Sequence, residues 1–129
     1  MCFNAEVWPI SNTDAVHLEG VHFRLLRRIV AKTPEEHVTR DRILRLTEVP
    51  SLSALLRQKR LRCVGHALRR APTDRFRLNV LDQLNRPESR WTQLIQSDCN
   101  VANIPIDSLE HLVADRTAFR QLTCARTFC

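Results

Sequence analysis

The sequence predicts an all-α protein, and three observations lead to that prediction. Apolar residues recur at steps of three and four along most of the 129 residues, which is the spacing of one helix face. The chain has 2 Gly and 6 Pro, too few for the many tight turns of an all-β protein. Hydrophobic residues make up 43% and charged residues 26%, as in folded globular chains. We expect about six short to medium helices in a single irregular helical bundle.

The first half of the chain predicts two helices before residue 50. An amphipathic helix is expected over residues 13–30, where Leu18, Leu25 and Ile29 follow helical spacing. Its N-cap is expected to come from Ser11, Asn12 and Thr13. A shorter helix is expected over residues 39–47, after the Thr-Pro pair that stops the first.

The third helix, SLSALLRQKRLRCVGHALRR, is the most informative segment, and Ser51 is expected to cap it. It carries two apolar stripes, so we expect neighbours on two sides. Glycine in the middle of a helix is less favourable than alanine by about 1 kcal/mol. We therefore interpret Gly65 as a position where another part of the chain comes close to the helix backbone. The residues expected in the core are Leu52, Leu56, Leu61, Val64, Leu68 and Trp91.

Three further helices are predicted in the carboxyl-terminal half. Thr73 is expected to cap the fourth, and Trp91 lies in the fifth. After a loop over 103–107, residues 107–110 resemble a capping sequence. A single sixth helix is then expected to run to about Leu122.

Positive charge is concentrated in the middle of the chain. The formal net charge is +6, yet residues 22–70 hold 13 basic and 4 acidic residues, while residues 71–129 hold 7 of each. Of the 20 basic residues 18 are arginine, which makes forked contacts to phosphate and carboxylate. Such a pattern is typical of a surface that binds an RNA or DNA backbone, and equally of a solvated helix face. Composition alone leaves both open.

Signals for other kinds of site are weak. Cys63-x-x-His66 is half of a zinc site without an evident second pair, so Cys63 is interpreted as a small apolar side chain. Asp98 and Asp115 are interpreted as helix caps or salt-bridge partners. With no phosphate loop, nucleophile motif or long apolar run, we expect no enzyme activity, cofactor, metal, small-molecule substrate or membrane span. Five irregularly spaced cysteines without a signal peptide predict an intracellular protein, in cytoplasm or nucleus.

Four ordered segments resemble non-LTR (LINE-type) retrotransposon polyproteins, in the region downstream of the reverse-transcriptase palm. Residues 50–70 are similar to the family's PSLxxLLRRRRLRWLGHVLRM, and residues 106–122 to its DSWEELAxDRxxWRxLV. Residues 3–8 resemble YGxETW, and residues 18–29 resemble LExFxxRCLRRIL. The palm, the endonuclease and most of a basic Gly/Pro/Arg-rich segment have no counterpart here, so we expect a truncated reading frame.

The resemblance implies a thumb and post-thumb fragment that grips template RNA or a primer–template duplex without catalysis. We divide the single expected domain, 1–129, into a thumb-like helical arm (1–31), a basic section (32–72) and carboxyl-terminal helices (73–129). The residues expected to bind nucleic acid are Arg24, Arg27, Arg28, Arg57, Lys59, Arg60, Arg62, Arg69 and Arg70. Two alternatives stay open: a helical protein-interaction module with a protein partner, and a non-functional retroelement remnant.

Overall fold

The structure, a computed structural model, describes residues 4–30 and 37–124 and confirms the all-α prediction. The described ranges contain seven α-helices, two short 3-10 turns at 5–7 and 106–108, and no strand. The helices are α1 (Asn12–Ile29), α2 (Arg40–Thr47), α3 (Leu52–Leu68), α4 (Arg75–Leu84), α5 (Arg90–Val101), α6 (Leu109–Ala114) and α7 (Arg116–Leu122).

Two compact units divide the described chain. The amino-terminal unit comprises the described residues between 10 and 55, which include α1 and α2. The carboxyl-terminal unit comprises residues 4–9 and 56–124, which include most of α3 and all of α4 to α7. The boundary therefore falls inside α3.

A capping box begins α1, where the sequence predicts an N-cap. The Ser11 hydroxyl accepts the Asp14 N–H at 3.2 Å, and the Asp14 carboxylate accepts the Ser11 N–H at 3.3 Å. The Ser11 hydroxyl also donates to that carboxylate at 2.5 Å. These bonds favour the ionised carboxylate, so the pKa of Asp14 is held below its ordinary 3.8.

The amino-terminal unit is held together by a small apolar cluster and by contacts from α1 to the start of α3. Phe23, Leu26 and Ile43 are buried together. The two carboxylate oxygens of Glu19 accept the N–H groups of residues 52 and 53 at 3.2 and 3.1 Å. Ser51 caps the same end as predicted, because its hydroxyl accepts the N–H of residue 54 at 3.3 Å.

Replacing Ser11 with alanine is expected to lower the free energy of unfolding by about 1 kcal/mol, because α1 loses its side-chain cap. Stabilisation of Asp14 as the anion is present above pH 3.8 and is lost as the pH falls through the lower pKa of the folded state. In S11A, the carboxyl NMR titration of Asp14 should therefore move up toward 3.8. Thr13→Ala, in the same exposed turn, is the control; equal effects of the two substitutions would contradict this role for Ser11.

One apolar core fills the carboxyl-terminal unit. Its buried residues are Leu61, Val64, Ala67, Leu68, Val80, Trp91, Ile95, Cys99, Ile104, Leu109, Val113 and Phe119. Trp91 also ties the first described residues to α5, since its indole N–H donates to the Glu6 carbonyl at 2.9 Å. All six residues predicted for the core are buried, so that prediction is confirmed.

The cap of α4 differs from the prediction. Asp74, rather than Thr73, is the N-cap, and its carboxylate accepts the N–H groups of Phe76 and Arg77 at 2.8 and 3.4 Å. A carboxylate one residue further along the chain has the same capping chemistry and completes the turn here.

The single sixth helix predicted over 109–122 is two helices, α6 and α7. Asp115 between them has extended backbone angles, and its carboxylate accepts the N–H groups of Thr117 and Ala118 at 2.9 and 3.0 Å. Its side chain thus starts a new helix in place of continuing the old one. The expected cap at 107–110 is also wrong, because Ser108 makes no cap bond and its hydroxyl donates to the Pro105 carbonyl.

Gly65 marks a close approach, as its position in α3 suggested, and the neighbour is an aromatic ring. A Cβ added at Gly65 would lie 2.5 Å from Cε1 of Phe119 and 3.3 Å from Nη1 of Arg69. Phe119, in α7, is 2% exposed. The absent side chain at Gly65 therefore lets α7 pack directly on the α3 backbone.

Candidate nucleic-acid interface

A stripe of basic side chains follows one face of α3. Lys59, Arg62, His66 and Arg69 are separated by three, four and three residues, which places them on the same side of a helix. All four are exposed. At 1.5 Å per residue, this α3 stripe is about 15 Å long.

A basic cleft lies between α3 and α7, and we call it the arginine cleft. Its volume is about 190 Å³. Its lining residues are Arg62, His66, Arg69, Arg116, Phe119, Arg120 and Thr123. Four guanidinium groups and one imidazole thus line the same space, and none of the lining side chains is a carboxylate.

The walls of the arginine cleft are set by the packing of α7 on α3. Phe119 lies against Gly65, which brings the two helices close enough for side chains from both to share one space. Below them, the Thr123 hydroxyl is buried and donates to the Phe119 carbonyl at 2.9 Å. Phe119 and Thr123 thus form the buried part of the lining, while its charged side chains are exposed.

The positive charge of the arginine cleft is not neutralised within residues 4–30 and 37–124. No salt bridge in these ranges involves Arg62, Arg116 or Arg120. Arg69 donates one N–H to the Val113 carbonyl at 3.3 Å, which orients its guanidinium without cancelling its charge. The neighbouring acid, Asp115, uses its carboxylate to cap α7. Four like charges held near one another favour binding of an anion.

The structure corrects the assignment of Arg60 as a nucleic-acid contact. Arg60 is 6% exposed, and its Nε and Nη2 donate to the two carboxylate oxygens of Asp98 at 2.6 and 2.9 Å. Because this guanidinium is buried and its charge is paired with Asp98, it is a poor contact for a phosphate. The interpretation of Asp98 as a salt-bridge partner is confirmed.

The other predicted residues of the carboxyl-terminal unit differ in their burial and contacts. Arg70 pairs with Asp74 at 3.0 Å and lies 5.5 Å above the Phe76 ring, so part of its charge is already satisfied. Arg57 is half-buried and Lys59 is exposed. Arg62 and Arg69 are the two predicted residues that the structure brings together in the arginine cleft.

The three predicted arginines of α1 belong to the amino-terminal unit. Arg24 and Arg28 are exposed. Arg27 is half-buried, and its Nη2 donates to the Val38 carbonyl at 3.3 Å. Arg27 therefore ties α1 to the segment before α2, which is a structural contact.

Sequence reasoning missed three members of the arginine cleft. Arg116 and Arg120 lie in the electrically neutral part of the chain, and His66 was weighed only as a metal ligand. A signal was present in their spacing: Arg116 and Arg120 are four residues apart, as Arg62 and His66 are, so each pair occupies one helix face.

A metal centre finds no support in the described residues. In those ranges no group of three or more His, Cys, Asp or Glu side chains is placed to hold a metal ion. Burial raises the pKa of the Cys63 thiol and raises that of Cys99 to about 11, with the charge of Asp98 adding to the shift at Cys99. Burial therefore favours the neutral thiol at both positions, as for small apolar side chains.

Comparison with known proteins gives this chain no relative. No protein-family model, curated protein or solved structure matches it. Among the helices in the described ranges, none combines the length and apolar content that a membrane crossing requires. Because no comparison suggests a function, that of the arginine cleft is inferred from its charge and geometry.

Proposed function

We propose that the chain binds the sugar–phosphate backbone of RNA or DNA without sequence preference, through the α3 stripe and the arginine cleft. The observation that carries this proposal is the convergence of four arginines, none paired with an acid in the described residues, on one cleft. An arginine fork matches phosphate oxygens, and contacts to phosphate carry no base information.

The dimensions of the surface support a backbone contact. The α3 stripe spans about 15 Å, which is the axial rise of about four phosphates along one strand of a duplex. Base stacking needs accessible aromatic rings, and Phe119, the aromatic residue of the cleft, is buried. Charge attraction is therefore the main source of affinity that this surface offers.

The proposal agrees with the role that the resemblance to post-palm reverse-transcriptase segments implies. In that role the chain holds template or primer and takes no part in the chemistry. The proposal includes a retroelement origin for the chain and assigns it no catalytic step. The described residues contribute a binding surface, and any polymerase activity would belong to a separate palm domain.

The test is a salt titration of binding to two short single-stranded RNAs of unrelated sequence, followed by fluorescence anisotropy. Wild-type protein should bind both RNAs with similar affinity, and the affinity should fall as salt rises. Arg62→Gln/Arg116→Gln removes one arginine from each wall. It should flatten the slope of log K against log salt by about 0.7 for each phosphate that these two arginines neutralise.

The control variant is Arg75→Gln/Arg86→Gln, which removes the same charge from exposed positions outside the cleft lining. Its slope should stay close to the wild-type value. Equal slopes for the two double variants would contradict a site at the cleft. Absence of RNA and DNA binding at low salt would refute the proposal and favour a protein-interaction module with an acidic partner.

A further inference from the structure

We infer that the arginine cleft binds the terminal phosphate of a nucleic-acid strand, so that the protein holds a phosphorylated strand end in preference to internal phosphates. This inference rests on the proposed function and names the part of the nucleic acid that the cleft takes. The ligand chemistry is a phosphate monoester carried by an RNA or DNA end.

The size of the cleft suits one phosphate group. Its volume of about 190 Å³ lies below the roughly 300–1,000 Å³ of pockets that bury drug-sized ligands. The buried Phe119 and Thr123 close the floor, and the Thr123 hydroxyl is already bonded to a backbone carbonyl. A phosphate at the end of a chain enters with a sugar on one side, whereas an internal phosphate must accommodate a sugar on each side.

The charge of the cleft favours a terminal phosphate over an internal one. A phosphate monoester carries about −1.5 to −2 at neutral pH and offers three free oxygens. An internal diester carries a single negative charge and has two free oxygens. Arg62 and Arg69 on α3 face Arg116 and Arg120 on α7 across the cleft, so more fork contacts are on offer than a diester has free oxygens to accept.

The α3 stripe gives the rest of the strand a path away from the cleft. Arg62, His66 and Arg69 belong to both surfaces, whereas Lys59 lies beyond the cleft at the amino-terminal end of the stripe. A strand whose end lies in the cleft can therefore direct its next phosphate toward Lys59, the stripe residue outside the cleft. Contacts along the stripe would be shared by every strand, so only contacts within the cleft distinguish a phosphorylated end.

The experiment compares three single strands of one sequence by anisotropy at fixed salt: one with a 5′-phosphate, one with a 3′-phosphate and one with hydroxyl groups at both ends. At least one phosphorylated strand should bind about tenfold more tightly than the hydroxyl strand, as expected for an added charge-assisted contact. Equal affinities of all three strands would overturn the inference and leave backbone binding intact. Absence of binding to any strand would overturn the proposed function as well.

Substitutions inside and outside the cleft test whether the preference for a phosphorylated strand end depends on the cleft arginines. Arg116→Gln/Arg120→Gln should reduce the tenfold ratio to about one, because the α7 wall loses its forks. Arg75→Gln/Arg86→Gln removes the same charge from exposed positions outside the cleft lining and should leave the ratio unchanged. If the first variant loses helicity by circular dichroism, Arg62→Gln tests the α3 wall and should also lower the ratio. A ratio that persists in a folded cleft variant would refute the site.

A phosphoserine peptide of low net charge is the last ligand to be compared with the phosphorylated strand. It carries the same phosphate monoester without a nucleic-acid strand, so it should bind at least about tenfold more weakly than the phosphorylated strand, which also has phosphates for the α3 stripe. Equal affinity for the peptide would overturn a nucleic-acid end as the ligand and favour a phosphorylated protein partner.

Discussion

Replacing Asp98 with alanine is expected to lower the free energy of unfolding by about 3–5 kcal/mol, because it leaves the Arg60 guanidinium buried without a counter-charge. Arg60 is 6% exposed, and both of its bonds to Asp98, at 2.6 and 2.9 Å, are lost together. Small domains have total stabilities of about 5–15 kcal/mol, so this variant should lie close to unfolding at room temperature. Urea denaturation followed by circular dichroism measures the effect.

Two controls distinguish the effect of leaving the buried Arg60 without a counter-charge from the general effect of removing an acid. Asp82→Ala breaks an exposed ion pair with Arg86 and should lower the free energy of unfolding by less than about 1 kcal/mol. Arg60→Met/Asp98→Leu removes both buried charges at similar volume and should be close to wild type in stability. That double variant should also keep its affinity for RNA, since Arg60 does not line the cleft. A D98A protein as stable as D82A would contradict the buried pair.

Some features set within one or two helical turns were predictable from the sequence. The cap at Ser11 depends on Asp14 three residues later, and the cap at Ser51 on the N–H three residues later, so both are visible in the residue order. The buried positions of α3 follow from apolar spacing in the same way. These elements need no knowledge of a distant partner.

Arg60 shows where local reasoning fails. It lies in a run of basic residues, and its partner Asp98 is 38 residues away. Its place on the helix held a signal, because Arg60 follows Leu56 and precedes Val64 by four residues each, on a buried face. A basic residue on an apolar face predicts a buried partner better than a solvent contact, but the spacing does not identify which acid.

The arginine cleft was only half predictable for a different reason. The net charge of residues 71–129 is zero, so it gives no sign that Arg116 and Arg120 share one helix face. The break of the last predicted helix at Asp115 also determines where α7 begins, and no glycine or proline marks it. The packing of α7 on α3 depends on the contact between Phe119 and Gly65. These residues are 54 positions apart, so helical spacing does not predict the contact.

Replacing Gly65 with alanine is expected to lower the free energy of unfolding by about 1–2 kcal/mol, although alanine is the better helix former by about 1 kcal/mol. The new methyl would lie 2.5 Å from the Phe119 ring, which is buried and has little room to shift. Gly20 in α1 is the matched control, since a Cβ there meets nothing within 4 Å. Gly20→Ala should raise the free energy of unfolding by up to about 1 kcal/mol. The same substitution should thus have opposite signs in two helices, measured by urea denaturation.

A double-mutant cycle tests whether the Phe119 ring is the obstacle. Phe119→Leu removes the ring and by itself destabilises the core, because a smaller side chain leaves space behind. In that background Gly65→Ala should be less unfavourable by about 1 kcal/mol or more, since the methyl enters space that the ring has left. Gly65→Ala alone pushes α7 away from α3, so it should also weaken the preference for a phosphorylated strand end. An unfavourable effect of Gly65→Ala that is the same with phenylalanine or leucine at 119 would show that another contact excludes the methyl, and that the α3–α7 packing beneath the arginine cleft is misassigned.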